Sequence, residues 1–184
     1  MRVTGTTQPR QAPLVSVLMP AYNDSAFLPT SIESVLAQSF VDFELIVSDD
    51  GSTDDTATIV RRYCRDDRRV LLLSDQPNVG MTANWNRALR AACGKFVMKL
   101  DADDAYHPHL LSAMVEALDA LPRPAVAFCR TLDCDADLRP HSSYLGDTAL
   151  IRKGIDPLVQ HARRGLDWYP LCFDDIQLWH SNAG

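Results

Sequence analysis

Phe43-Glu44-Leu45-Ile46-Val47-Ser48-Asp49-Asp50-Gly51-Ser52-Thr53 decides how this chain is read. A short apolar run, Phe43 to Val47, predicts a strand. Acids and a glycine follow at once, which predicts a turn. Ser52 or Thr53 is expected to cap the next helix, whose apolar face carries Val60, Tyr63 and Cys64. Strand, polar turn and helix in immediate succession is the repeating unit of a parallel sheet, because parallel neighbours need a crossover.

Working outward, the same unit recurs. Val15-Ser16-Val17-Leu18-Met19 predicts a first strand, running into Pro20-Ala21-Tyr22-Asn23-Asp24, and a helix over Leu28 to Gln38 with Leu28, Ile32, Val35 and Leu36 on one stripe. Val70 to Leu73 predicts a third strand. After Pro77-Asn78-Val79-Gly80, a helix is expected with Met81, Trp85, Ala88, Leu89 and Ala92 as its apolar stripe, stopped by Gly94. Phe96 to Leu100 predicts a fourth strand that ends in Asp101-Ala102-Asp103-Asp104. Pro108 is placed to open a helix with Leu111, Met114, Val115 and Leu118 inward, and Ala125 to Phe128 predicts a fifth strand. The expected fold class is α/β, a Rossmann-like, mostly parallel sheet with helices on both faces. Beyond Arg130 the pattern loosens into irregular structure with one or two helices.

Composition narrows the function classes. The 184 residues carry 18 Lys plus Arg against 24 Asp plus Glu, a formal charge of −6. That balance argues against duplex-DNA binding, so no nucleic acid partner is expected. Hydrophobic content of 46% with 23% charged residues excludes a disordered chain. No apolar run approaches the roughly 20 residues of a membrane span. Met1 to Pro13 is polar and reads as a loose tail without a secretion signal. Residues 14–184 read as a single domain, with 14–104 and 105–184 as its halves. The five cysteines are scattered without a CxxC pair, so structural zinc is not expected. Cys64 and Cys93 read as small buried thiols, and the expected compartment is reducing and cytoplasmic.

In an open parallel sheet, ligands gather at the carboxyl ends of the strands. Here three such ends are polar: Ala21 to Asp24, Asp49 to Ser52, and Asp101 to Asp104. Asp101 and Asp103 are two apart, so extended geometry puts them on one side. Such a pair suits one hard divalent ion, Mg²⁺ or Mn²⁺, completed by phosphate. The plainer reading of a lone Asp-x-Asp is a solvated acidic turn; Asp49-Asp50 at another strand end weighs against it. GxGxxG is missing after the first strand and GxxxxGK[ST] is missing throughout. A dinucleotide Rossmann site and a P-loop are therefore excluded.

The motifs together resemble glycosyltransferase family 2, inverting enzymes of the GT-A fold. The resemblance rests on Val15 to Asn23, on Ser48-Asp49-Asp50-Gly51-Ser52-Thr53-Asp54, on Asn78-Val79-Gly80 with Asn84-Trp85-Asn86-Arg87-Ala88 and Gly94-Lys95, and on Leu100-Asp101-Ala102-Asp103-Asp104. It implies a nucleotide-sugar donor, and a carboxylate facing a uracil N–H favours UDP. Tyr22 and the backbone around Ala21 would lie near the base. Asp50, with Asp49, would accept from it. Asp101 would reach the ribose or a metal-bound water, and Asp103 would hold the metal. Asn84 and Arg87 would face the donor; a solvated helix face is the other reading of Arg87. Trp85 reads as core.

The family's general base is an Asp following a Glu in the acceptor-facing part. Phe173-Asp174-Asp175-Ile176 looks like that element, which makes Asp175 the expected base. A plain helix N-terminus is the alternative there. The resemblance implies transfer onto a hydroxyl of a glycan, a lipid-linked carrier or a small molecule, as in polysaccharide biosynthesis. QxxRW, the mark of processive synthases, is missing. His180 reads as a surface residue. The arginines at 61, 62, 65, 68 and 69 read as a solvated face, with peripheral membrane contact as the sharper option. The alternative function is a non-catalytic sugar-nucleotide-binding or scaffold domain on the same fold. A sugar nucleotidyltransferase is disfavoured because its Gly-rich basic loop is missing.

Overall fold

The computed structural model describes residues 12–119, 125–127, 129, 133–135, 138–142 and 162–164. Its contacts divide the chain into two compact units, Met1–His109 and Leu110–Gly184.

The first unit alternates strand and helix: β1 (Val15–Ala21), α1 (Leu28–Leu36), β2 (Phe43–Asp49), α2 (Thr56–Asp66), β3 (Val70–Leu73), α3 (Met81–Ala91) and β4 (Phe96–Lys99). The four strands form one parallel sheet in the order β3-β2-β1-β4. β1 and β2 are central and apolar because both faces are covered. Leu18 and Ile46 point to the face packed by Ala88 and Trp85 of α3. Val17, Met19, Leu45 and Val47 point to the opposite face and are fully buried as well. Each such side chain stabilises the fold by about 1.5–3 kcal/mol.

The α3 stripe differs from expectation. Met81 and Leu89 are exposed, while Asn84 and Ala88 are the buried residues. A polar side chain is tolerated there because Ser48 at the end of β2 supplies both hydrogen-bond partners.

Gly94 is not the helix stop; the C-cap of α3 is Ala92. A Cβ on Gly94 would stand 2.5 Å from the Ser16 nitrogen, so the residue is required by close approach. The Gly94 N–H donates to Ser16 Oγ at 2.8 Å, and Ser16 donates to the buried Glu44 at 2.6 Å. The Cys93 N–H donates to the same Glu44 oxygen. Cys93 itself is exposed, contrary to the buried reading, because it sits in the turn beyond α3. Cys64 is half-buried, and burial pushes its thiol up.

The second unit holds α4 (Leu110–Asp119), with Leu111, Met114 and Leu118 buried. β5 (Ala125–Ala127) does not join the parallel sheet; it pairs antiparallel with β8 (Ala162–Arg164). β6 (Asp133–Cys134) and β7 (Pro140–Ser142) form a second antiparallel pair. No helix among the described residues is long and apolar enough to cross a membrane.

Candidate nucleotide-sugar site

The strand order sets the position of the site. The chain steps outward from β1 through β2 to β3, then returns through α3 to β4 on the other flank of β1. Such a reversal opens a crevice at the carboxyl ends of the two strands on either side of it. Those ends are Ala21-Tyr22 of β1 and Leu100-Asp101 after β4. The Leu100 N–H donates to the Leu18 carbonyl at 2.9 Å, carrying the pairing up to the first aspartate.

The loops after β1 and β2 are laced together. Asn23, at φ 59°, donates its N–H to Ser52 Oγ at 2.9 Å and accepts from the Thr53 N–H at 2.8 Å. The Asp24 N–H donates to Thr56 Oγ1, and the Ser25 N–H to Asp54. Ser52 and Thr53 thus bridge to the β1 loop instead of capping α2, whose cap residue is Asp55. The Thr56 N–H is met by Asp54 at 2.9 Å. Desolvation pushes the Asp54 carboxyl up, but the hydrogen bonds from Thr56 and Ser25 overcome it and hold it well below the usual carboxylate range.

Asp50 is 3% exposed. Its N–H donates to the Ala21 carbonyl, joining β1 to the turn. Its carboxylate accepts from the N–H groups of Val79 and Gly80, both at 2.9 Å. Each carboxylate oxygen retains a second acceptor position. Gly51, at φ 74°, completes the clamp: a Cβ there would meet the Asn78 nitrogen at 2.9 Å. Asp49 is also buried and accepts from the Ser52 N–H at 3.1 Å. Tyr22 stands at the surface, 49% exposed, and Val79 is similarly open.

Asn84 lies beneath this surface. It is 2% exposed, donates to the Ser48 carbonyl at 2.7 Å and accepts from Ser48 Oγ at 2.6 Å. Its amide is committed to holding α3 on the end of β2. Arg87 works beside it, donating to Ser48 Oγ, to the Asp49 carbonyl at 2.8 Å and to the Leu73 carbonyl. Neither reading of Arg87 made from the sequence anticipates this inward brace. The remaining basic cluster is partly neutralised, with Arg69 paired to Asp67 at 2.7 Å and Arg61 near Asp75 at 3.6 Å.

Asp101 and Asp103 both sit in the turn after β4. Asp103 is exposed, and Asp101 pairs with Lys99 at 2.7 Å. Two neighbours not singled out from the sequence join them. The Asp24 carboxyl is raised by burial, and the Asp103, Asp54 and Asp101 charges push it further against the Tyr22 N–H bond. Asp104 is raised by burial and by Asp103 and Asp101. The signal for Asp24 is present in the sequence only as an acid near a strand end, and its approach to Asp103 is a tertiary fact. No group of three or more His, Cys, Asp or Glu able to enclose a metal occurs among the described residues. Hard carboxylate oxygens in small number fit a Mg²⁺- or Mn²⁺-type ion that takes its other ligands from phosphate and water. Asp175 lies outside the described residues.

The glycosyl transferase family 2 model matches residues 16–174. The chain belongs to this family. Family 2 relatives include the Escherichia coli chondroitin synthase, 39% identical over 99 residues, covering 54% of this chain and 14% of that protein. Among solved structures, S. aureus TarS 1-349 in complex with UDP-GlcNAc superposes with a TM-score of 0.59 at 27% identity, over 66% of this chain and 35% of that one. The mannosyltransferase PcManGT of Pyrobaculum calidifontis, in complex with GDP-Man and Mn²⁺, superposes at 0.56 and 26% identity, over 66% and 37%. These solved structures share the GT-A layout, here a parallel sheet with flanking helices. The chain spans less than half the length of each of these three proteins.

Proposed function

We propose that this family 2 chain binds a nucleotide-sugar, UDP-linked, and transfers the sugar to an acceptor hydroxyl by direct displacement with inversion. The observation that carries the reading is that Tyr22 after β1, Asp50 after β2, and Asp101 and Asp103 after β4 follow the carboxyl ends of three neighbouring parallel strands. The UDP-GlcNAc complex of TarS, on the same fold, supports the choice of donor.

In this reading the base lies against Tyr22, and its N–H donates to an open acceptor position on Asp50. The Asp50 clamp on Val79 and Gly80 holds the loop beside it. Asp101 reaches the ribose or a metal-bound water. Asp103, with Asp101, would hold the divalent ion, which when bound neutralises charge on the departing diphosphate. Asn84 and Arg87 act from below, keeping the ends of β2 and β3 in register. Asp175 takes the proton from the attacking hydroxyl of a glycan, lipid-linked or small-molecule acceptor.

Calorimetric titration of UDP with and without Mn²⁺ tests the donor site. Binding strengthened by Mn²⁺, with the strengthening lost in Asp103→Ala, is expected. GDP or dTDP binding in place of UDP would overturn the choice of base. Silence with all three would overturn donor binding and favour a scaffold role.

A further inference from the structure

We infer that Lys99 is a built-in competitor for the cation site: its ammonium holds the Asp101 carboxylate and must be displaced before a divalent ion can use it. Strand alternation places residues 99 and 101 on one side of β4 and its extension. Lys99 Nζ stands 2.7 Å from Asp101 Oδ2. It also stands 5.3 Å from the centre of the Trp85 ring. The Tyr106 hydroxyl donates to the Lys99 carbonyl at 2.6 Å, tying down the backbone that carries the lysine. The ammonium already faces the Trp85 ring, a contact it can keep when Asp101 is taken by another cation. Both partners of the pair are about half exposed, at 53% and 42%. A pair so open to water is weak, which makes the lysine displaceable. Its consequence is a raised divalent-ion requirement for donor binding.

This inference rests on the proposed cation role of Asp101 and Asp103. It is tested by titrating Mn²⁺ into the full chain, with free Mn²⁺ read by electron paramagnetic resonance, with and without UDP. Lys99→Met is expected to tighten Mn²⁺ binding about two- to five-fold, the span an exposed ion pair covers. Lys99→Arg is expected to stay at the wild-type value, and the gain in Lys99→Met is expected to shrink at high salt. Adding Asp101→Asn to Lys99→Met is expected to abolish the gain. Unchanged or weaker Mn²⁺ binding by Lys99→Met overturns the competitor role. Weaker UDP binding by that variant without Mn²⁺ also overturns it, since it would place the ammonium on the diphosphate. Asp103→Ala separates the two levels. Mn²⁺ binding that survives this change removes the underlying cation reading, whereas binding lost there but indifferent to Lys99 removes only the inference.

Discussion

At the scale of single residues, the loops of the site depend on one glycine's backbone and on hydrogen bonds that tie one loop to the next. Gly51 adopts φ 74° where a side chain would press on the backbone of the 76–78 loop. Gly51→Ala is expected to cost about 1–3 kcal/mol in urea denaturation, from positive φ and contact with backbone that cannot swing away. It should also weaken UDP binding, since the Asp50 clamp stands next to it. Asp54 gives a pH signature. Its carboxyl is held below the ordinary 3.8 by Thr56 and Ser25, so it favours the folded state as an anion. That stabilisation is complete above the ordinary value and fades as pH falls below it. Asp54→Asn should therefore lower Tm at neutral pH, and the gap to wild type should narrow below about pH 4. A constant gap across that range would remove the electrostatic explanation.

At the scale of elements, α3 is fastened to the sheet by polar and apolar contacts that interleave along the helix. Asn84 and Arg87 grip Ser48, Asp49 and Leu73, while Ala88 and Trp85 meet Leu18 and Ile46. Asn84→Ala removes both amide contacts and leaves the Ser48 hydroxyl and carbonyl short of partners. The expected loss is about 1–3 kcal/mol, the range for a buried polar group deprived of its bond. A thermal melt measures it, and an unchanged Tm would show that water replaces the amide. Elements were legible where pattern and packing agree. β1 through β4, α1 and α2 follow the apolar spacing of the sequence closely. The α3 stripe was misread because Met81 and Leu89 satisfy the helical period yet face water, whereas Asn84 is buried by a hydrogen bond that periodicity cannot express.

At the scale of the whole molecule, the proposed reading draws binding and transfer from different stretches of chain. Every residue in the described site lies within Met1–His109. The proposed base, Asp175, lies outside the described residues. Asp175→Asn is expected to keep Mn²⁺-dependent UDP binding while lowering transfer to an accepted hydroxyl by about 10²–10⁴-fold, the usual contribution of a general base. Normal transfer by this variant would dismiss Asp175 from the mechanism, and loss of UDP binding would make its role structural.

The sequence by itself determined the alternation of strand and helix, the apolar identity of the central strands and the three polar strand ends. These are local properties: side-chain period, turn residues and β-branched runs act over a few positions. The family signature was equally legible, because its motifs are contiguous in the chain. Tertiary structure decided the rest. The order β3-β2-β1-β4 places the reversal between β1 and β4, and pairing across dozens of residues is invisible to local spacing. It also pairs β5 with β8, outside the parallel sheet. It turns Asn84 and Arg87 from expected donor contacts into braces, and brings Asp24 toward Asp103. Those outcomes depend on which groups meet once loops close, and partner and burial, more than residue type, set what a polar side chain does.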